Sequence, residues 1–226
     1  TDIWKIFRYN AFTLSQKNMW NYGGTPFSNN ASLRWQSMTM NRYEWDVKET
    51  FAWNWLDSRL LRGGPDVRFG SYFLTSAKFN TDKAKRMMFM LKYEGDHNFE
   101  GNRFNTISPS LTFRLGNHVY LSGQLDYAWN TDEMQYVATT SPLSSSSLAP
   151  YYYVMGHMDQ KTYGLTLKLQ VNVTPDISIQ FYGAPFTSIA KYDDFKLAAD
   201  TKSHTFENRF QRIDPDQLTY ADGVYT

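Results

Sequence analysis

Residues 162–174 alternate without a break. Leu165, Leu167, Leu169, Val171 and Val173 fall on one side, and Thr166, Lys168, Gln170 and Asn172 on the other. A period of two over such a length specifies a strand with one apolar and one polar face. Pro175-Asp176 then marks a turn, and Ile177, Ile179 and Phe181 resume the pattern against Ser178, Gln180 and Tyr182, which predicts a hairpin. The same period recurs upstream. Val119, Leu121, Leu125, Tyr127 and Trp129 oppose Tyr120, Ser122, Gln124 and Asp126, and Gly116-Asn117 is the tight turn leading in from 108–115. Phe89, Leu91 and Tyr93 oppose Met88, Met90, Lys92 and Glu94. Val67, Phe69 and Phe73 oppose Arg68 and Tyr72. Tyr43, Trp45, Val47, Phe51, Trp53 and Trp55 oppose Glu44, Asp46, Lys48, Thr50 and Asn54.

The pattern predicts an all-β chain of about eleven strands, over roughly 3–20, 30–40, 43–56, 67–79, 85–95, 103–115, 118–130, 133–139, 151–157, 161–174 and 177–190. Arg8 breaks the face set by Trp4 and Ile6, which a bulge would explain. The one helical expectation is a short turn at Asp193–Ala199. Asn41-Arg42, Asn80–Lys83, Gly116-Asn117 and Pro175-Asp176 are short connections, whereas 57–66, 95–102 and the serine-rich 141–150 are longer. Short turns at one end and longer loops at the other characterise outer-membrane barrels.

Composition sharpens this reading. Aromatic residues make up 17% of the chain, 16 Phe, 16 Tyr and 7 Trp, at a mean hydropathy of −0.55. Alternation reconciles the two values, because every second residue suits lipid while the average looks polar. Trp45 and Trp55 lie on one predicted face, and at a tilt of about 45° ten residues advance roughly 23–24 Å, near the height of a barrel's apolar band. Trp35, Trp45, Trp53, Trp55, Tyr93, Tyr127 and Trp129 are the expected membrane-interface aromatics, with rings in lipid and polar atoms toward water. Arg34, Glu44, Asp46, Lys48, Arg68, Lys92, Arg114, Asp126 and Lys168 lie on the opposite face as lumen-facing candidates, and Glu94 joins them. Mixed signs allow pairing across neighbouring strands and give no ion preference.

Other chemistries find little support. The formal charge is +1, so no nucleic-acid partner is expected. The absence of cysteine removes disulfides, thiolate metal sites and a cysteine nucleophile. His97, His118, His157 and His204 are far apart, and only His157 and Asp159 share a predicted strand face. There is no nucleophile elbow and no phosphate-binding glycine loop. Asp214-Pro215-Asp216 lacks the spacing of a calcium loop. No catalytic residue, metal or cofactor is expected, and the chain is read as not an enzyme.

Three stretches carry a family resemblance: Leu61-Arg62-Gly63-Gly64-Pro65, the run from Tyr153 through Val154-Met155-Gly156-His157-Met158-Asp159-Gln160-Lys161 to Thr162, and Val173-Thr174-Pro175-Asp176 continuing to Tyr182-Gly183-Ala184-Pro185-Phe186. With Tyr192-Asp193-Asp194-Phe195-Lys196 they resemble the C-terminal barrel of a Bacteroidota outer-membrane family of unknown function. Members of that family carry an N-terminal domain like carbohydrate-binding module family 9. The resemblance covers roughly 62–210, and 159–186 is its most specific part. It implies an antiparallel transmembrane β-barrel in the outer membrane of a Gram-negative bacterium, with a channel, transport or surface-assembly role and a link to glycans.

The family implies a longer protein, and about eleven strands is odd where bacterial single-chain barrels close with even numbers. Residues 1–226 are therefore read as one incomplete barrel region, with strands over roughly 3–190 and an acidic tail, 191–226, leading to further strands. The expected partners are the lipid bilayer and the remainder of the barrel, or a partner protein, at the open edges. The alternative is a soluble secreted β-sandwich, a carbohydrate-binding module that stacks exposed Trp and Tyr on sugars.

Overall fold

A computed structural model of the chain describes residues 6–24, 26–53, 55–116, 118–140, 151–174, 176–214, 220–221 and 224–225. Among the described residues the protein is all β apart from one turn of 3-10 helix, Glu207–Arg209. The strands are β1 (Phe7–Trp20), β2 (Pro26–Thr39), β3 (Glu44–Trp53), β4 (Trp55–Asp57), β5 (Val67–Phe69), β6 (Tyr72–Asn80), β7 (Met87–Asn98) and β8 (Arg103–Leu115). They continue with β9 (Val119–Thr140), β10 (Tyr152–Thr174), β11 (Ile177–Gly183), β12 (Phe186–Ala198), β13 (Phe210–Arg212), β14 (Tyr220–Ala221) and β15 (Val224–Tyr225).

Eleven strands form one antiparallel sheet in the order β1-β2-β3-β6-β7-β8-β9-β10-β12-β13, with β11 also on β10. Apart from the β3–β6 pair, which skips the separate β4–β5 ribbon, and the β10–β12 pair, which skips β11, neighbours in the sheet are neighbours in sequence, as alternating strands joined by tight turns dictate. Gly116 takes the positive φ of 66° that the β8–β9 turn requires. Its partner Asn117, Pro175 of the next turn and the serine tract within 141–150 lie outside the described residues. Among the described residues the sheet does not close: β1 pairs only with β2, and β11 only with β10. The expected barrel is thus an open sheet with two free edges.

Several boundaries differ from the sequence reading. The runs 118–130 and 133–139 are one strand, β9, and 151–157 and 161–174 are one strand, β10. Register shifts at Val154/Met155 and Gly156/Met158 interrupt the alternation there, so a continuous strand reads as two. Phe186–Ala198 is β12, where a helical turn was expected over part of it. Two residues of β12, Asp194 and Phe195, stand against Gly156 alone, and Asp194 adopts φ 45°. That bulge mimics a helical step in the sequence. β11 and β12 lie end to end along β10, joined through the Pro185 carbonyl, which accepts a hydrogen bond from Leu165 N at 3.0 Å. The expected bulge near Arg8 is present as a register shift between Phe7 and Tyr9.

The buried apolar core sits at one end of the sheet, not across a face of it. Leu61, Val67, Met134, Met155 and Phe210 form it, with Leu60, Phe69, Tyr136, Tyr153, Ala198 and Phe206 packed around. These residues come from the 54–71 connection, the far ends of β9 and β10, and the segment after β12. Arg209 locks this end. It is 1% exposed, and its Nη1 and Nη2 donate to Glu100 Oε2 at 2.9 Å and Oε1 at 2.7 Å. It also donates to the carbonyls of Arg68 at 2.7 Å and Ser203 at 2.8 Å, and Glu100 accepts from Gly70 N at 2.9 Å. A planar five-donor fork fits this set, since a buried charge must find every partner it can.

Candidate functional site

Strand register assigns the faces. Residues paired directly across an antiparallel ladder point to the same side. Lys48 pairs with Arg34 and Ser76, Asp46 with Gln36 and Lys78, and Lys78 with Lys92. The row continues through Ser108 to Asp126, and a lower row joins Ser122 to Lys168. Arg34, Glu44, Asp46, Lys48, Lys92, Glu94, Arg114, Asp126 and Lys168 therefore share one polar face. Arg68 does not. It lies in β5, which pairs only with β4 in a separate ribbon, and its Nε donates to the Lys202 carbonyl at 2.9 Å.

Pairing on the polar face is local. Arg34 clamps Asp46 with two hydrogen bonds, and Gln36 adds a third at 3.2 Å. Lys83 and Asn80 reach Glu44. Lys92 bridges to Glu94 along β7 at 2.7 Å. Gln124 donates to Asp126 at 2.8 Å, and Ser108 donates to the same oxygen. Lys48 has no ion pair among the described residues, and Arg114 donates to the Lys83 carbonyl at 3.1 Å.

The other face is apolar and uncovered. Trp35, Val47, Ala77, Tyr93, Ile107, Tyr127 and Tyr163 form one row across seven strands. Trp45, Trp53 and Trp129 share that face. Trp55 leaves it, because β3 ends at Trp53 and Trp55 opens β4. The Trp45–Trp55 spacing therefore does not measure one strand; Trp45 and Trp53, eight residues apart, do. Rings pack along the face: Tyr127 stacks on Trp129 at 5.2 Å and on Tyr163 at 5.0 Å, and Trp45 lies 4.4 Å from Phe79. Leu14 is 81% exposed, Phe12 68%, Ile179 60% and Leu125 58%. A face this wide and this exposed needs a cover.

Polar groups interrupt it, Glu49 and Asn105 among them. Glu49 sits between Val47 and Phe51 and accepts a hydrogen bond from Thr75 at 2.7 Å. Asn105, 5% exposed, takes the Tyr93 hydroxyl at 2.9 Å, and its Oδ1 also lies 2.8 Å from His97 Nε2. Sequence alternation concealed both, because it treats a face as uniform.

Beyond the apolar stretch, β9 and β10 run on as a ribbon carrying a charged network. His157 Nδ1 lies 3.0 Å from Glu133 Oε1, and its Nε2 lies 3.4 Å from Asp159 Oδ2, so His157 and Asp159 do share a face. Thr131 donates to Asp159 at 2.8 Å, and Lys196, 3% exposed, lies 3.5 Å from Asp194. Burial alone lowers the His157 pKa, but Glu133 and Asp159 together outweigh it, and the net direction is upward. The Thr131 hydroxyl and His157 hold Asp159 below the carboxylate range, whereas burial pushes Asp132 up.

The signs set a pH window. The stability from His157 is complete below its unfolded pKa of about 6.5 and is lost as pH rises through the higher folded value. That from Asp159 is complete above about 3.9 and is lost as pH falls through the lower folded value. Asp132 acts with His157, since a raised carboxyl favours the folded state at lower pH. We predict larger amide protection factors, corrected for the intrinsic pH dependence of exchange, at 131–136 and 154–159 at pH 5 than at pH 8, with protection falling again as pH drops through the lowered Asp159 titration. Equal protection at pH 5 and 8 would contradict the network.

His118 lies 3.2 Å from the Asn172 carbonyl, away from the other histidines. Among the described residues no three or more His, Asp or Glu side chains are placed to hold a metal ion. No helix among them is long and apolar enough to cross a membrane, which leaves crossing by strands open. Residues 3–220 of the 226 match the family described as Domain of unknown function (DUF5916). No curated protein and no solved structure matches the chain.

Proposed function

We propose that this chain, which belongs to the DUF5916 family, is part of an outer-membrane β-barrel of a Gram-negative bacterium. The observation that carries the reading is the inverted distribution of burial. The large sheet exposes its apolar face, and the apolar core among the described residues lies at one end among the longer connections. A soluble sheet hides that face against a second layer. In a bilayer the lipid covers it, and the polar face lines an aqueous interior. The free edges of β1 and of β11–β12 are closed by further strands of a longer polypeptide or by a partner, because unpaired backbone is not tolerated in lipid. The role is channel, transport or surface assembly, with no catalytic chemistry, and a sugar-binding-like domain ahead of the barrel supplies the link to glycans.

The strands fit the bilayer. Trp45 and Trp53, with Phe51 and Phe73 beside the latter, mark two levels on the lipid side. Eight residues at a tilt of about 45° separate them by roughly 19 Å, inside the span between the aromatic girdles. β9 and β10, of 22 and 23 residues, exceed any bilayer span, and their charged ends stand outside it. The test is fractionation followed by tryptophan quenching with lipids brominated at known depths. Quenching strongest near both headgroup levels is expected, and recovery of the full-length protein as a soluble monomer overturns the reading.

Glu49 gives a sharper prediction. A carboxylate midway along a lipid-facing strand is unfavourable. Glu49→Leu is expected to raise stability against urea by about 1 kcal/mol, with the partly buried Thr75 hydroxyl left as its orphaned partner. A loss of comparable size would place Glu49 against protein or water.

A further inference from the structure

The polar face contains a groove in which two charged side chains, Lys48 and Asp96, have no partner among the described residues. Two adjacent rows build its floor. Lys48, Ser76, Glu94 and Thr106 form one row, and Thr50, Leu74, Asp96 and Phe104 the next. Past Asp96 and Phe104 it continues under the 54–71 connection, along Tyr72, Asn98, Asp57 and Phe69. Most acids on this face are taken: Asp46 by Arg34, Glu44 by Lys83, Glu94 by Lys92, and Asp126 by Ser108 and Gln124. The Asp96 carboxylate is partly buried and accepts no hydrogen bond from any described residue. Lys48, at the other end of the two rows, has no ion pair among the described residues and is exposed to the groove.

A partly buried carboxylate without donors is costly unless something supplies them. Here the absent donor and the absent acceptor lie in one groove at a fixed separation. Two strand spacings and two residue steps put the Cα atoms of Lys48 and Asp96 about 12 Å apart. Hydroxyls at Thr50, Ser76 and Thr106 and the apolar surfaces of Leu74 and Phe104 lie between or beside them.

We propose that this groove binds a short zwitterionic peptide, with its terminal ammonium at Asp96 and its terminal carboxylate at Lys48. An extended tripeptide separates its end charges by about 10 Å, which suits the spacing once the side chains reach inward. The hydroxyls hydrogen-bond the peptide groups, and Phe104 and Leu74 face a side chain. The proposal rests on the reading that the polar face meets water inside a barrel.

The test is calorimetric titration of the complete protein in detergent micelles with triglycine. The expected result is saturable binding. N-acetyl-triglycine and triglycine amide each bind at least tenfold more weakly. Asp96→Asn weakens triglycine at least tenfold but leaves N-acetyl-triglycine unchanged, since the cap has already removed that contact. Lys48→Gln does the same for the amide, and free glycine, too short to reach both ends, binds at least tenfold more weakly than triglycine. Equal affinity for capped and free triglycine, or no effect of either substitution on triglycine, overturns the site. Because the titration does not require a bilayer, a protein that fails to insert yet discriminates the caps contradicts the barrel reading alone. One that inserts and ignores the caps contradicts the groove alone.

Discussion

Leu167→Arg is expected to cost about 2–4 kcal/mol of folding free energy in a bilayer, whereas Thr166→Arg, one residue away, stays within about 0.5 kcal/mol. Leu167 is 39% exposed on the apolar face, and it stands opposite Gly123 on β9 and Gly183 on β11. Nothing in the protein obstructs an arginine there, so the penalty arises from lipid alone. Thr166 pairs with Gln124 on the polar face, where a guanidinium meets water. The pair separates the two accounts of the sheet, because an exposed leucine on a soluble protein accepts arginine at little cost. Urea titration of the complete protein refolded into vesicles measures both. Equal effects at 166 and 167 would contradict the assignment of faces.

The second large effect lies outside the sheet. The Glu100 side chain is 12% exposed beside Arg209, and Arg209→Met deprives it of both guanidinium bonds. Removing one member of a buried pair costs about 3–5 kcal/mol. The loss falls on the end of the molecule that Arg209 ties together, namely 57–69, 99–103 and 199–212. Faster amide exchange and proteolysis are expected there, with the centre of the sheet unchanged. Adding Glu100→Gln to Arg209→Met recovers part of the loss, because the orphaned charge is then gone. A variant as protected as the parent would show that packing around Phe206 and Phe210 holds this end without the ion pair.

The sequence disclosed the sheet better than its ends. Over Leu165–Asn172 and Ser178–Phe181 the register is unbroken, and each residue there lies on the face its position predicts. Sheet order followed too, because short turns leave consecutive strands little choice but to pair. Reading failed where the period slipped. The bulge at Asp194, opposite Gly156, made a strand resemble a helical turn, and the irregular pairing of 154–158 divided β10 in two. It failed again at 54–71. Trp55 and Arg68 continued the alternation on paper, but β4 and β5 pair with each other and leave the large sheet.

Long-range chemistry was not legible. Glu100 and Arg209 are 109 positions apart, and no local pattern connects them. The groove depends on Lys48 and Asp96 being brought within two strands by register, and on which other acids are already paired. Periodicity places Lys48 on the polar face, whereas Asp96 falls just past the predicted strand 85–95. Charge on a face is visible from periodicity, whereas its satisfaction by neighbours is a property of the folded sheet.

The central claim is that one face of this sheet meets lipid and the other meets water. The absence of cysteine makes a direct measurement possible. Leu165→Cys, Thr166→Cys, Leu167→Cys, Lys168→Cys, Leu169→Cys and Gln170→Cys are introduced singly into the complete protein in intact outer membranes. Each is exposed to a water-soluble maleimide small enough to enter the barrel. The account predicts labelling at 166, 168 and 170 and protection at 165, 167 and 169. Labelling at all six positions, or at the odd set alone, would contradict it.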